Sequence, residues 1–253
     1  MNLPDTRFVV AATQQEVLDR CLLASPLWAS PLAQSDVPPP EVVWGADSAA
    51  AAFNPVIERL HATQSAQWLI WVHQDVWLPP DWLHQWAAQL CLAQSRWPKL
   101  AVAGVYGVQH ERHASTALRA GHVVDRGTLL REPAPLPHAV NSLDELLVAV
   151  RVDSGLRWDA ALGFDFYGTD VCLQALERGY ACAVLDACCE HHSSTPSSGL
   201  MPRRLIDRIA RNGAAFERKW AHKLPLSTSC FHIQQAGDVA QFLAAHTVAN
   251  DAS

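Results

Sequence analysis

Short apolar segments alternate with amphipathic helical stretches along this chain, which points to an open α/β sheet, mixed but mostly parallel and flanked by helices. Three observations carry that expectation. "FVVAA" (8–12), "WLIWV" (68–72) and "LAVAGV" (100–105) are apolar without alternation, as strands covered on both faces are. A helical pattern follows each of the first three strand-like segments. The chain has 253 residues and is 49% hydrophobic, enough for one sizeable core.

The elements follow in order. After the first strand, Thr13-Gln14-Gln15-Glu16 fits a capping box, and Val17, Leu18, Cys21 and Leu22 make a helical stripe. The proline-rich stretch from Ser25 to Pro40 reads as a loop, and "EVVWG" (41–45) as the second strand. Asp47-Ser48 supply a cap for a helix through "AAAAF", which Pro55 restarts or kinks. After the third strand, Asp81 caps a helix with Leu83, Trp86, Ala87, Leu90 and Cys91 on one side. From Tyr106 to Asn141 Gly, His, Arg and Pro dominate, so an irregular excursion over a sheet edge is expected there, with "HVV" as its only short strand. "LLVAVR" (146–151) resumes the sheet, "TDVCLQALERG" is a helix capped by Thr169 and closed by Gly179, and "YACAVLD" is the last strand. "PRRLIDRIARNGAAFERKW" is a further helix. One domain over 1–225 and a weakly patterned C-terminal tail over 226–253 are expected.

Charge and composition exclude several classes. The net charge is −6 and no long basic run occurs, which argues against a nucleic-acid partner. "MNLPDTRFVV" lacks the basic-then-apolar pattern of a signal peptide, and no apolar run reaches the ~18 residues of a membrane span. The seven cysteines, an odd number set in apolar patterns, read as reduced thiols of a cytoplasmic protein.

In an open α/β sheet, ligands sit beyond the carboxyl ends of the strands. His73-Gln74-Asp75 falls at such an end, Asp170 opens a helix between the sixth and last strands, and His191-His192 follow the last strand. Two carboxylates and an imidazole converging there suit a divalent cation, Mn²⁺ or Mg²⁺, holding a diphosphate. Each signal also has an ordinary structural reading: an Asp in a turn, an acidic helix start, a solvated histidine pair.

The order of motifs resembles a GT-A-fold glycosyltransferase of the family 2 type, and within it a bacterial subgroup with a His-Gln-Asp triplet in place of DxD. The matching pieces include "VVAATQQEVLDRCLLAS", "WLIWVHQDVWLPPDW", "GHVVDRG", "VNSLDELLVAVR", "LGFDFYGTDVCLQALERGY" and "CCEHHSS", within residues 7 to 224. The resemblance implies transfer of a sugar from a nucleotide-sugar donor to a glycan or small-molecule acceptor by inverting single displacement. The enzyme would be cytoplasmic, free or peripheral at the inner membrane. By position, Thr13, Asp47, His73, Gln74 and Asp75 would bind the donor, Asp75 and His192 (in preference to His191) the metal, and Asp170 would be the base. Trp82, Tyr167 and Thr169 would meet the sugar or acceptor. The triplet leaves one carboxylate where DxD has two, and Thr169 stands where a glutamate is usual. Those departures keep open a nucleotide-sugar or glycan binder of this fold without catalysis. A zinc-binding hydrolase built on Cys188, Cys189, His191 and His192 is a further alternative, against which their adjacent spacing argues.

Overall fold

A computed structural model describes residues 5–29, 37–111, 116–193 and 201–245. The central sheet has seven strands: β1 (Thr6–Ala12), β2 (Glu41–Trp44), β3 (Trp68–Val72), β5 (Leu100–Gly104), β9 (His138–Ala139), β11 (Leu147–Arg151) and β12 (Ala181–Val184). They lie in the order β2-β1-β3-β11-β5-β12-β9. Strands β2, β1, β3, β5 and β12 share one direction, while β11 runs antiparallel between β3 and β5. The mixed, mostly parallel sheet expected from the sequence is present.

Its inner strands are largely apolar because both faces are covered. Phe8, Val10 and Ala12 of β1 pack to one side with Ile70 and Val72 of β3. Val9, Leu69 and Trp71 pack to the other. The first face is closed by α1 (Gln15–Arg20) and α4 (Trp82–Arg96), with α2 (Pro26–Ala29) at its margin. The second is closed by α3 (Ala49–Thr63) and α5 (Tyr167–Glu177). α3 runs unbroken through Pro55.

Local caps differ from the expectation. Thr13 makes no capping box; Gln14 precedes α1 without a side-chain cap bond. Ser48, not Asp47, caps α3 by accepting from the Ala51 amide at 3.1 Å. Asp81 makes no side-chain cap bond to α4. Thr169 lies inside α5, which starts after Phe166 in a left-handed conformation with φ 64°.

The irregular excursion is also corrected. A second sheet runs β10-β6-β7-β13-β4. Its strands are β4 (Val76–Trp77), β6 (Tyr106–Gln109), β7 (Leu118–Asp125), β10 (Ser142–Leu143) and β13 (Glu190–His191), and β8 (Thr128–Arg131) pairs with β7. Glycine hides these strands from a propensity reading, yet close approach requires it. A Cβ on Gly121 (φ +104°) would stand 2.1 Å from the Val105 carbonyl oxygen.

Beyond α6 (Arg203–Lys219), the segment expected as a tail forms the hairpin β14 (Leu226–Ser227) and β15 (His232–Ile233), then α7 (Asp238–Ala245). Phe216, Trp220, Ile233, Val239 and Leu243 share a third core cluster with Leu162 and Phe166. Glu217 of α6 secures this packing by accepting from the Gly237 and Val239 amides at 2.8 and 2.9 Å. No helix among the described residues is long and apolar enough to cross a membrane.

Candidate functional site

The polar triplet after β3 is bent around a short turn. The His73 amide still donates to Leu146 O at 3.0 Å, and the Val76 amide returns to His73 O at 3.2 Å. β4 follows and pairs antiparallel with β13, setting His191 opposite Val76. The His192 amide donates to Asp75 O at 2.8 Å. Because side chains alternate along a strand, this register turns His191 toward Asp75 and carries Glu190 and His192 to the other face.

The result is a compact group. Ligand atoms of His73, Asp75 and His191 all lie within 4.8 Å of one another. His191 Nε2 is 3.5 Å from Asp75 Oδ1, and its Nδ1 is 2.9 Å from Asp125 Oδ1. His192 instead approaches Glu190 at 3.5 Å on an exposed face. The histidine brought to Asp75 is therefore His191, not the expected His192.

Hydrogen bonding fixes the His73 tautomer. The Tyr167 hydroxyl has one proton, which it donates to Glu145 O at 3.0 Å. It accepts from Trp71 Nε1 at 3.0 Å and lies 2.8 Å from His73 Nε2. Since the phenol proton is committed, His73 Nε2 must be the donor, leaving Nδ1 with a free lone pair. Burial holds the His73 imidazole below its ordinary range, although Asp75 opposes it. Burial would lift Asp75, but the His191 hydrogen bond and the charges of His73 and His191 bring it below the ordinary carboxylate range. Burial would lower His191; its hydrogen bond to Asp75 and the charges of Asp75 and Asp144 outweigh that and raise it.

Two imidazoles and one carboxylate, each imidazole oriented through its other nitrogen, make a fitting donor set for a divalent transition cation. Mn²⁺ accepts such mixed nitrogen and oxygen ligands, whereas Mg²⁺ prefers oxygen alone. Asp125, bonded to His191 Nδ1, stands where it would be the outer carboxylate if a cation were held at His191. Asp125→Asn is expected to weaken Mn²⁺ binding about 10- to 100-fold, measured by calorimetric titration; an unchanged affinity would remove Asp125 from the site.

The other expected residues divide. Gln74 ties strand ends together: its Oε1 accepts from the Thr13 and Gln14 amides at 2.9 and 3.1 Å, and its Nε2 donates to Thr13 Oγ1 at 3.2 Å. Asp47 is exposed at the neighbouring β2–α3 turn. Trp82 is fully buried, donates to Ala187 O at 3.1 Å and stacks on Trp86, so it is core rather than a sugar platform. Tyr167 is likewise buried, stacks on Trp158 and acts through His73 rather than presenting a ring face. Thr169 is buried against Ser142 Oγ at 2.8 Å.

Asp170 is the largest departure. Its carboxylate is 0% exposed and receives Trp220 Nε1 at 2.8 Å, Gln174 Nε2 at 2.7 Å and Lys219 Nζ at 2.7 Å. A carboxylate enclosed by three donors is built to join α5 to α6, not to take a proton from an entering hydroxyl. The zinc alternative also fails geometrically. Among the described residues the convergent ligand group is His73, Asp75 and His191, and it contains neither Cys188 nor Cys189.

Two cavities flank the segment Asp144-Glu145 and meet at Ser229. One, of about 310 Å³, contains Arg119, Asp125, Arg126, Asp144 and His191. The other, of about 400 Å³, lies against α5, α6 and the C-terminal hairpin and contains Glu145, Asp165, Thr169, Thr228, Ser229 and Cys230 beside apolar side chains. The sequence reading singled out neither Asp125 nor Glu145. Both lay inside quoted motifs, "GHVVDRG" and "VNSLDELLVAVR", but only tertiary contact distinguishes them from surface acids.

The mixed sheet with helices on both faces is a GT-A-type fold, shared with two solved glycosyltransferase structures. The chain is similar over 97% of its length to the mannosyltransferase PcManGT from Pyrobaculum calidifontis in complex with GDP-Man and Mn²⁺, at 12% identity and TM-score 0.52, covering 70% of that chain. It is similar over 97% of its length to GalNAc-T7 with UDP, GalNAc and Mn²⁺, at 11% identity and TM-score 0.50, and spans 55% of that chain. Neither a family model nor a curated protein sequence matches it.

Proposed function

We propose that this protein transfers a glycosyl group from a nucleotide-sugar donor to an acceptor hydroxyl by a single inverting displacement. The observation that carries the reading is the His73, Asp75 and His191 cluster at the carboxyl edge of β3 in this fold. The bound GDP-Man and Mn²⁺, and UDP, GalNAc and Mn²⁺, of the two similar structures support the donor class.

His73 Nδ1, the Asp75 carboxylate and His191 Nε2 would hold a divalent cation. When bound, such an ion neutralises charge on the departing nucleoside diphosphate. Arg119 and Arg126 border the adjoining cavity and add positive potential there. Tyr167 and Asp125 keep the two imidazoles oriented, so little reorganisation is needed as charge develops. Gln74 fixes the β1–α1 turn beside Asp47, where the donor's base and ribose would lie. The enclosure of Asp170 favours a second reading, a nucleotide-sugar binder without transfer activity.

A thermal-shift screen of UDP-, GDP- and dTDP-sugars with and without Mn²⁺ tests the donor site. One donor class is expected to raise Tm in an Mn²⁺-dependent way, since a ligand at 100 times its Kd adds about 2.7 kcal/mol. Stabilisation by none of them would overturn the reading. Release of free nucleoside diphosphate from the bound donor separates enzyme from binder.

A further inference from the structure

The transferase reading leaves the proton acceptor and the chemistry of the acceptor unassigned, because Asp170 is enclosed. We propose that the cavity between α5, α6 and the C-terminal hairpin is the acceptor subsite, that it takes an uncharged alcohol with an apolar body, and that Glu145 at its wall removes the hydroxyl proton. This rests on the transferase reading and deepens it.

Glu145 lines the apolar cavity, while the preceding Asp144 lines the cavity that contains His191. Glu145 O accepts from the Tyr167 hydroxyl that orients His73. The residue therefore stands at the seam between the cation cluster and the second cavity. Its side chain lies over Gly168, where an added Cβ would meet Leu143 O at 2.5 Å and Glu145 Cγ at 3.2 Å. A larger residue at 168 would displace the glutamate.

The acids of this cavity are not equivalent. Asp165 is bound at both oxygens: Arg208 donates to them at 2.9 and 3.0 Å, and Asn212 Nδ2 adds a contact at 2.7 Å. Glu145 forms no ion pair among the described residues, and the Gly168 amide is its hydrogen-bond donor. The charged and titratable groups around it are Asp144, Asp165, Arg208, Tyr167 and Cys230. Burial and the charges of Asp165 and Asp144 push Glu145 well above the ordinary carboxylate range, against the Gly168 amide and Arg208. A carboxylate displaced in that direction is a stronger base than a solvated one.

The wall sets the substrate class. Leu143, Phe166, Met201, Ile209, Phe231 and Phe242 surround the acid. The volume of about 400 Å³ suits a small molecule. Arg208 is engaged by Asp165, so among the described residues no uncommitted cation of this wall greets a phosphate. Apolar surface outweighs that of the polar side chains Thr169, Thr228, Ser229 and Cys230, which disfavours a free hexose. An aliphatic or aromatic alcohol fills the apolar part and presents its hydroxyl to Glu145.

In the step itself, the acceptor O–H bond breaks and its proton passes to the Glu145 carboxylate. The acceptor oxygen forms a bond to the anomeric carbon, and the bond from that carbon to the diphosphate oxygen breaks with its electron pair leaving on the nucleoside diphosphate.

The test uses the full chain with 6-phenylhexan-1-ol, its phosphate monoester and glucose as probes. The alcohol is expected to bind and Phe231→Ser to weaken it about tenfold or more; equal or tighter binding of the phosphate or glucose, or an unchanged affinity in the variant, overturns the acceptor class. With the nucleotide sugar that binds alongside Mn²⁺, Glu145→Gln is expected to lower transfer to the alcohol about 10²- to 10⁴-fold. Its donor affinity should stay within twofold, and the acidic limb of the pH–rate profile should disappear. Transfer by Glu145→Gln at the wild-type rate, or an intact acidic limb in it, overturns the base assignment while leaving the transferase reading standing. Failure of every nucleotide sugar to bind removes that reading itself.

Discussion

Asp75→Asn is expected to lower Mn²⁺ affinity at least about 100-fold, equivalent to about 2.8 kcal/mol at about 1.4 kcal/mol per tenfold. The cluster has one anionic ligand, and the substitution leaves a divalent cation facing two neutral imidazoles and an amide. The fold should survive, because Asp75 is a partly exposed turn residue rather than a core group. His192→Ala serves as the contrasting variant: its ring lies on the opposite face of β13, so the affinity should be unchanged. Calorimetric titration of Mn²⁺ into both proteins decides the matter. An affinity within threefold of wild type in Asp75→Asn, or a large loss in His192→Ala, would refute the cluster. The pH dependence has a definite sign. His191 holds its proton more readily than a free imidazole, held by Asp75 and the surrounding acids. A cation must displace that proton, so apparent affinity falls as pH falls through the raised His191 pKa.

His191 also shows where sequence reading reaches its limit. Six strands of the central sheet are legible because they are apolar runs, and their helices because they carry a 3.6-residue stripe; the two-residue β9, inside the stretch expected to be irregular, is not. The His73-Gln74-Asp75 triplet is legible because a polar group directly after a fully buried strand marks a sheet edge. The choice between His191 and His192 is not, since it depends on a one-residue register with β4, and a slip of one residue exchanges the faces. The second sheet escapes for a different reason. Most of its strands are short, and β6 and β7 contain Gly107 and Gly121, whose missing side chains admit Ser142 O and Val105 O. Local propensity counts such glycines as loop. Asp125 and Glu145 escape because a carboxylate acquires its role only from what packs around it. In the sequence Asp170 is the more suggestive acid, standing at a helix start; in the structure it is enclosed by Gln174 of its own helix and by Lys219 and Trp220 at the end of α6, some fifty residues later.

That enclosure gives Asp170 a large expected effect of a different kind. Asp170→Ala leaves Trp220 Nε1, Gln174 Nε2 and Lys219 Nζ without their shared acceptor. Removing one partner of a buried charge pair costs about 3–5 kcal/mol, but Lys219 keeps 31% of its side chain exposed and a second carboxylate, Asp159, at 2.8 Å. A loss of about 3 kcal/mol is therefore expected, with part of it from the indole N–H left buried and unpaired. Asp170→Asn retains an acceptor for Trp220 and should lose less, about 1–2 kcal/mol, the scale of a charge-assisted hydrogen bond. Urea unfolding of wild type and both variants measures these losses, and the midpoint should fall in the order wild type, Asn, Ala. Below its unfolding transition, Asp170→Asn should bind Mn²⁺ as wild type does, because the cation cluster contains none of the groups that Asp170 holds. A base in the reaction behaves in the opposite way: its amide variant keeps its stability and loses transfer. If Asp170→Asn unfolds at the wild-type urea midpoint and its transfer rate collapses, Asp170 returns as the proton acceptor and Glu145 loses that role. If the midpoint falls while transfer per folded molecule persists, α5 and α6 are joined by Asp170 and the chemistry belongs to the cavity beside it.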